Sequence, residues 1–363
     1  MGFPAAVPLL APLGPWFEAV KRSLPWRAAD LDAVHPDPYA VLVSEIMLQQ
    51  TQVATVIPYF LKWMQRLPDL AALAAAGDDE IHGLWAGLGY YRRARSLQAA
   101  AQALAGRPWP GDLDGLLALP GLGPYTAAAL GAQAFQWPTP ALDGNAFRVS
   151  ARLLALEGDP RLQAEALRDW LRPALAHHGP GRLTQAIMEL GATVCTPKPH
   201  CAACPLQHAC QAQLQGTPAS IPPVVVRAKP KAIEIHLVAL SSPSGWLLRP
   251  PTRTGLLAGL WSWPWLEVGL RPPGPAAPGG PEGRSWPGWV QVYTHRRETI
   301  RPLALHLEAA PAAPAGLAWV PAADLAALAM GARDQRLRRL LEETGQPLAA
   351  WDRAAAQTVL AGA

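Results

Sequence analysis

The sequence predicts a multidomain protein, an all-α domain over residues 1–214 followed by a smaller α+β domain over 233–345. Three observations predict it. Apolar residues recur with a helical period from Pro15 to Leu214. The stretch "QGTPASIPPVVVRAKPKA", 215–232, is rich in proline and small residues and loses that period, as an extended linker does. Beyond it the pattern switches to the two-residue alternation of strands. A chain of 363 residues is long enough to bury two cores.

The elements follow in order. "PYAVLVSEIMLQQTQVATVIPYFLKWMQRL" reads as one long helical stretch, with Pro58 starting or kinking a second helix. "DEIHGLWAGLG", "YRRARSLQAAAQALAG", "LDGLLAL", "PYTAAALGAQAF", "NAFRVSARLLAL", "QAEALRDWLRPALAHH" and "RLTQAIMELGATVC" are further helices separated by short Gly/Pro turns. Past the linker, "AIEIHLVAL", the turn "SSPSG" and "WLLRP" make a hairpin. "WVQVYTH" and "ETIRPLALHLEA" are two more strands, and "PAADLAALAMGARDQRLRRLLEET" is helical. "RPPGPAAPGGPEGRSWPG" reads as a mobile loop and 346–363 as a tail. There is no internal repeat.

Bulk properties narrow the function classes. Net charge is +4, which permits nucleic-acid binding without requiring it. No apolar run is long enough to span a bilayer, so no membrane role is expected. The apolar start "MGFPAAVPLLAPLGPWFEAV" lacks a basic leader and is broken by prolines, unlike a signal peptide. All four cysteines, Cys195, Cys201, Cys204 and Cys210, lie within sixteen residues, spaced x5, x2 and x5. That crowding predicts one metal site in a reducing, cytoplasmic setting rather than a disulfide framework. Zinc and an iron–sulfur cluster both suit four thiolates at this spacing.

"LPGLGPYTAA", 119–128, is a tight glycine turn feeding a helix. Gly121 and Gly123 let backbone amides approach a ligand, and Pro124 suits the first helical position. The free N–H groups that follow favour an anion, such as a DNA phosphate. Taken alone, the motif better describes an unliganded helical corner.

It is accompanied by an aspartate about twenty residues on, in "LDGN", and by the cysteine knob after the last helix. Together these resemble the helix-hairpin-helix DNA glycosylase superfamily. Within it, "SEIMLQQTQVATVIPYF", "GLWAGLGYYRRAR" and "ELGATVCT" resemble the MutY-type adenine DNA glycosylases, while "GLLAGLWSWPWLE" and "VYTH" resemble that family's Nudix-related C-terminal domain. The resemblance covers residues 15–345. It implies a helix-hairpin-helix over 116–131, a 4Fe–4S knob over 195–210 and a Nudix-like 8-oxoguanine-recognition domain over 233–345. It departs at the knob, where five residues rather than the usual six separate the first two cysteines.

The implied reaction hydrolyses the N-glycosidic bond of adenine mispaired with 8-oxoguanine or guanine, leaving an abasic site. The base must leave the stack to be reached. Glu45, bracketed by apolar residues in "VLVSEIML", would be a buried acid holding a proton for the leaving base. Asp143 matches the family aspartate that stabilises the sugar cation, with Asn145 assisting. Two carboxylates in different environments suit such chemistry. Tyr125 stands where a lysine would make the enzyme a lyase. Gln50 and Tyr90 match residues that push into the stack, and Arg22, Trp26, Arg27 and Glu189 match the adenine pocket. Thr294 and His295 align with a Phe-Ser-His loop that recognises 8-oxoguanine. A monovalent or divalent cation at the hairpin is a further expectation, as are a monomeric state and a cytoplasmic, nucleoid-associated location.

Three rivals were weighed. A bifunctional glycosylase/lyase wants a lysine after the hairpin, yet no lysine occurs between Lys62 and Lys198. A non-catalytic iron–sulfur DNA-binding protein has no use for both Glu45 and Asp143. A Nudix hydrolase lacks the upstream glycine and glutamate of its box; "RRLLEETG" resembles only the end of it.

Overall fold

The computed structural model describes residues 3–223, 230–252, 255, 257–267, 284–285, 287–293 and 296–344. In chain order the described helices are Ala6–Leu10 (α1), Leu13–Val20 (α2), Pro38–Leu48 (α3), Val53–Arg66 (α4), Leu70–Ala75 (α5), Asp78–Trp85 (α6), Arg92–Leu104 (α7), Leu113–Leu117 (α8), Pro124–Phe135 (α9), Gly144–Leu154 (α10), Ala164–His178 (α11), Pro180–Thr193 (α12) and Gln211–Leu214 (α13). The strands are Lys231–Ser242 (β1), Gly245–Leu248 (β2), Trp265–Glu267 (β3), Arg284–Ser285 (β4), Trp289–Val292 (β5), Arg296–His306 (β6) and Ala318–Val320 (β7), and Ala332–Thr344 (α14) follows them.

The chain divides into two compact units, residues 1–76 with 93–226, and 77–92 with 227–363. The first is all helix among its described residues. Several helices start where the sequence places an N-cap. Asp37, Asp69, Asp112 and Asp143 each accept a bond from a backbone N–H of the first turn. The core joins Leu10, Leu13, Phe17, Leu153, Trp170, Leu171, Ile187 and Leu190 among others. Trp63 is fully buried; its Nε1–H donates to Tyr39 Oη at 2.9 Å, and Tyr39 Oη–H donates to Leu67 O at 2.8 Å. That relay fastens α3 to α4.

Two expectations need correction here. The stretch 38–67 is two helices, and the break falls at residues 49–52, not at Pro58, which sits inside α4. The helical period runs through the break, so hydrophobicity could not reveal it; Gln50 at φ 57° is what turns the chain. Segment 77–92 has a helical period but groups with the second unit. Tyr91 Oη–H donates to Met330 O at 3.3 Å. Gly259, at φ 81°, leaves the space that the His82 ring takes: a Cβ there would stand 2.8 Å from it. Periodicity shows that a segment is helical, but not which core it joins.

The second unit is built on a mixed sheet. β1 pairs in parallel with β6 from Lys231↔Arg296 to Ser241↔His306, and in antiparallel with β3 and β2 at opposite ends. β7 extends β2, while β4 and β5 share the other side of β6. Alternate β1 residues feed two cores: Ile235, Leu237 and Ala239 join Trp263, Ile300 and Met330, and Val238 and Leu240 join Leu305 and Leu317. The helix expected over 321–344 is interrupted. Ala322–Ala327 is a short 3₁₀ segment, and Trp261 N–H donates to Ala329 O before α14 begins.

The second unit also buries charge. Glu298, Arg333 and Asp334 are all essentially inaccessible. Arg333 donates to Glu298 Oε2 at 3.3 Å and to both carboxylate oxygens of Asp334 at 3.2 Å. Arg296 reaches the other oxygen of Glu298, and Trp263 N–H donates to Asp334 Oδ1 at 2.9 Å. Arg333→Met would strand two buried carboxylates. The expected loss is about 3–5 kcal/mol of unfolding free energy, read by urea denaturation of the full chain with tryptophan fluorescence.

Candidate active site

Glu45 lies in α3, which packs on α9. Its carboxyl is buried, and α9 supplies both hydrogen-bond donors. Tyr125 Oη–H reaches Oε2 at 2.8 Å and Gln133 Nε2–H reaches Oε1 at 2.7 Å. Burial pushes the Glu45 carboxyl above its ordinary range, and the negative charge of Asp143 adds to this; the two donors oppose it. The Tyr125 phenol is held protonated by the same burial and by both carboxylates.

Asp143 caps α10. Its Oδ1 accepts Ala146 N–H at 2.7 Å and its Oδ2 accepts Asn145 Nδ2–H at 3.1 Å. Burial raises its carboxyl too, but backbone N–H groups of Ala146 and Asn145, the Arg148 charge and the Asn145 amide all oppose it. It sits at the positive end of a helix dipole as well. The two acids therefore differ in kind: Glu45 meets only neutral donors, while Asp143 meets a helix terminus and a cation. Asp143 is the better anion and Glu45 the better proton store. Asn145 is held in turn by Arg148, whose Nη2–H donates to Asn145 Oδ1 and to Gly191 O, each at 2.8 Å. Gly191 lets α12 approach this closely, since a Cβ there would lie 2.5 Å from that of Asn145.

Arg22, Arg27 and Glu189 come together. Glu189, buried on α12, accepts Arg22 through both oxygens, and Arg27 Nη2–H at 3.3 Å. Arg27 also donates to Gln185 Oε1 at 2.8 Å and lies 5.1 Å over the Phe17 ring. Trp26 packs edge-on against Phe60, with centroids 5.2 Å apart. Gln50 and Tyr90 share one feature: both are exposed and adopt left-handed backbone, φ 57° and 49°, which non-glycine residues rarely do. Gln50 belongs to the first unit and Tyr90 to the second. Thr294 and His295 lie outside the described residues.

The hairpin joins α8 to α9 with an exposed apex. Gly121 needs to be glycine twice over, by its φ of 78° and because a Cβ would stand 2.3 Å from that of Ser96. Gly123, at φ −87°, has ordinary backbone, and a Cβ there would meet nothing. Its expected conformational need is therefore corrected; what glycine leaves there is open space before the first turn of α9.

Cys195, Cys201, Cys204 and Cys210 are free thiols lining one pocket together with Arg152, His200 and Pro218. Burial pushes the Cys204 thiol up to about 11. Arg152 Nη1–H points at Cys195 Sγ at 3.3 Å, while its other bonds go to the carbonyls of Thr196, Pro197 and Ile221. Among the described residues no three His, Cys, Asp or Glu side chains are arranged to hold a single metal ion.

Gln133, Gln185 and Arg148 were not foreseen from the sequence. The signal was available for two of them. Gln133 lies eight residues after Tyr125 on α9, and Gln185 four before Glu189 on α12, spacings that share a helix face.

The sequence is similar to known DNA repair proteins. The model of the HhH-GPD superfamily of base excision DNA repair proteins matches residues 43–173. An adenine DNA glycosylase of Mus musculus is 33% identical over 400 residues, covering 91% of this chain and 77% of that protein. This chain belongs to the adenine DNA glycosylase family. The family's Homo sapiens member is 45% identical over 207 residues, 54% of this chain and 38% of that protein. Among solved structures, a thermostable thymine-DNA glycosylase overlays with a TM-score of 0.49 at 24% identity, over 57% of this chain and 95% of that one.

Two predictions follow from the geometry. A carboxyl whose folded pKa is raised binds its proton more tightly in the native state, so its contribution to stability falls as pH rises from the ordinary glutamate range through the raised value. Glu45→Gln should remove that decline, seen as a melting temperature that falls less than the wild type's as pH rises above the ordinary glutamate range. Gly121→Ala should cost roughly 1–3 kcal/mol in thermal denaturation, and Gly123→Ala less than about 1 kcal/mol.

Proposed function

We propose that this chain is a monofunctional DNA glycosylase of base-excision repair, removing adenine mispaired with 8-oxoguanine or guanine. The observation that carries the reading is a buried carboxyl, Glu45, with only neutral donors around it, in a chain that also caps a helix with a second buried carboxyl, Asp143. Membership of the family supports the same activity.

In this reading Glu45 holds a proton and delivers it to the extruded adenine, turning a poor leaving group into a good one. Tyr125 and Gln133 fix both carboxyl oxygens, so the proton has one direction in which to go. As the glycosidic bond stretches, the sugar gains positive charge, and Asp143, kept anionic by its cap bonds and Arg148, stabilises it. Tyr125 occupies the position of a lyase lysine, and its phenol stays protonated, which suits hydrolysis without strand cleavage. The Arg22–Arg27–Glu189 cluster and Trp26 would line the adenine pocket, with Gln50 and Tyr90 as wedges in the stack.

The hairpin apex would grip a phosphate with the first N–H groups of α9, through the space that Gly123 leaves open. Residues 119–124 contain no acidic side chain, so the cation expected there would rest on backbone carbonyls. Four thiols around one pocket are the ligand set of a 4Fe–4S cluster, the group that the family resemblance implies. Cys195, Cys201, Cys204 and Cys210 would hold it, and it would stiffen the loop from Cys195 to Cys210. The mixed sheet of the second unit would be the Nudix-like domain reading 8-oxoguanine through Thr294 and His295. A monomer at the nucleoid completes the reading; no described helix is long and apolar enough to cross a membrane.

The decisive experiment uses labelled duplexes with adenine opposite 8-oxoguanine, guanine, cytosine or thymine. Product that breaks only after alkali, and mainly from the first two duplexes, is expected; direct strand cleavage refutes the monofunctional reading. Glu45→Gln should lower the single-turnover rate by about 10²- to 10⁴-fold with duplex affinity retained. The wild-type rate should fall as pH rises through the raised Glu45 pKa, because the proton donor is then lost.

A further inference from the structure

The break between α3 and α4 puts Gln50 in a conformation that its side chain disfavours, at the end of a helix whose last carbonyls have no partner within it. Something must hold the chain there. The group that does so is Arg93, at the start of α7, buried to 8% exposure. Its Nη1 donates to the carbonyls of Ile46 at 3.0 Å, Met47 at 3.0 Å and Gln49 at 2.5 Å, and its Nη2 to Thr51 Oγ1 at 3.3 Å. These four acceptors bracket Gln50 on both sides.

One guanidinium thus replaces the missing turn of α3, and its charge faces the negative end of that helix. Gln49 is fixed from the opposite direction: its Nε2–H donates to Thr126 Oγ1 at 3.2 Å, tying the same loop to the helix that carries Tyr125. A lysine ammonium has donors for the three carbonyls that Nη1 holds, but it has no second nitrogen for Thr51 Oγ1 and no planar fork to fix the group's direction.

We propose that Arg93 is a positioning residue, holding the Gln50 loop in the strained shape that drives the side chain into the duplex beside the lesion. The inference rests on the reading of Gln50 as a wedge. Without the clamp, α3 can run on through Gln49 and Gln50, and the wedge is lost although neither carboxylate has moved.

The test is a double-mutant cycle on the full chain. Single-turnover excision of adenine opposite 8-oxoguanine is measured for Gln50→Ala, Arg93→Lys and the double variant. Extrusion is read independently from the fluorescence of 2-aminopurine in place of the adenine. Arg93→Lys is expected to excise roughly 10- to 100-fold more slowly, with a reduced fluorescence rise and an unchanged Kd. The double variant should be no slower than the slower single, because both changes remove one wedge. Thr51→Val, which deletes the Nη2 contact together with the hydroxyl's own 3.4 Å bond to Gln49 O, should show a smaller loss that likewise vanishes in the Gln50→Ala background, and it serves if Arg93→Lys does not fold. A wild-type rate for Arg93→Lys with Gln50→Ala impaired overturns the clamp alone. Multiplicative losses in the double variant also overturn it. A wild-type rate for Gln50→Ala overturns the wedge reading and the clamp with it.

Discussion

Taking a carboxyl group out of water costs several kcal/mol when it is charged and far less when it is protonated, so a fold that buries one without a cation selects the neutral form. The helical unit does this at Glu45. α3 carries the residue inward among Val41, Leu42, Val43, Ile46 and Met47, all buried, and α9 answers with Tyr125 and Gln133 rather than with arginine or lysine. The remaining features of the site follow from that choice. Burial favours the protonated form of Glu45, and Asp143 is given the cap bonds and the arginine that Glu45 is denied. The α8–α9 hairpin, which brings no reactive group of its own, sets the position of α9 and so of both Glu45 donors.

The end of α3 shows the same economy. A helix that delivers a buried acid has to stop before it buries polar residues as well, and the sequence after Leu48 is Gln-Gln-Thr-Gln. The chain leaves the helix at Gln49, its freed carbonyls pass to Arg93, and Gln50 emerges exposed. The acid and the exposed glutamine belong to one helix and its terminus, five residues apart. Their spacing is set by helical geometry rather than by a flexible loop.

Most of the helices and the long strands rest on signals present in the sequence: periodicity for α9 and α10, aspartate caps for α3 and α10, alternation for β1 and β6; the order of the sheet does not. What was not legible has physical causes. The stop at Gln49 depends on an arginine forty-four residues away, and the assignment of α6 to the second unit on a glycine at 259 that admits a histidine ring. Both are tertiary events with no local trace. The site was legible to the extent that residue type demands chemistry. An acid flanked by apolar residues, a lysine-free hairpin and four crowded cysteines each announce a role, and the pairing of Arg22 and Arg27 with Glu189 fits the pocket expected there. Gln133 and Arg148 were silent because a polar residue on a helix is ordinarily solvated, and only the structure shows which ones face a buried acid.

The two units handle buried charge in opposite ways, and the contrast carries information about their roles. Glu298, Arg333 and Asp334 in the sheet unit are equally inaccessible, but each charge meets an opposite one at hydrogen-bonding distance. Such a network ties each carboxylate to a cation and resists rearrangement. Glu45, by contrast, is buried with neutral partners and can exchange a proton without breaking an ion pair. A carboxylate locked by arginine is fit to hold a scaffold in shape, and one held by a phenol and an amide is fit to react. The distribution of counter-charge, more than burial itself, separates the acid we propose for the chemistry from the acids that maintain the fold.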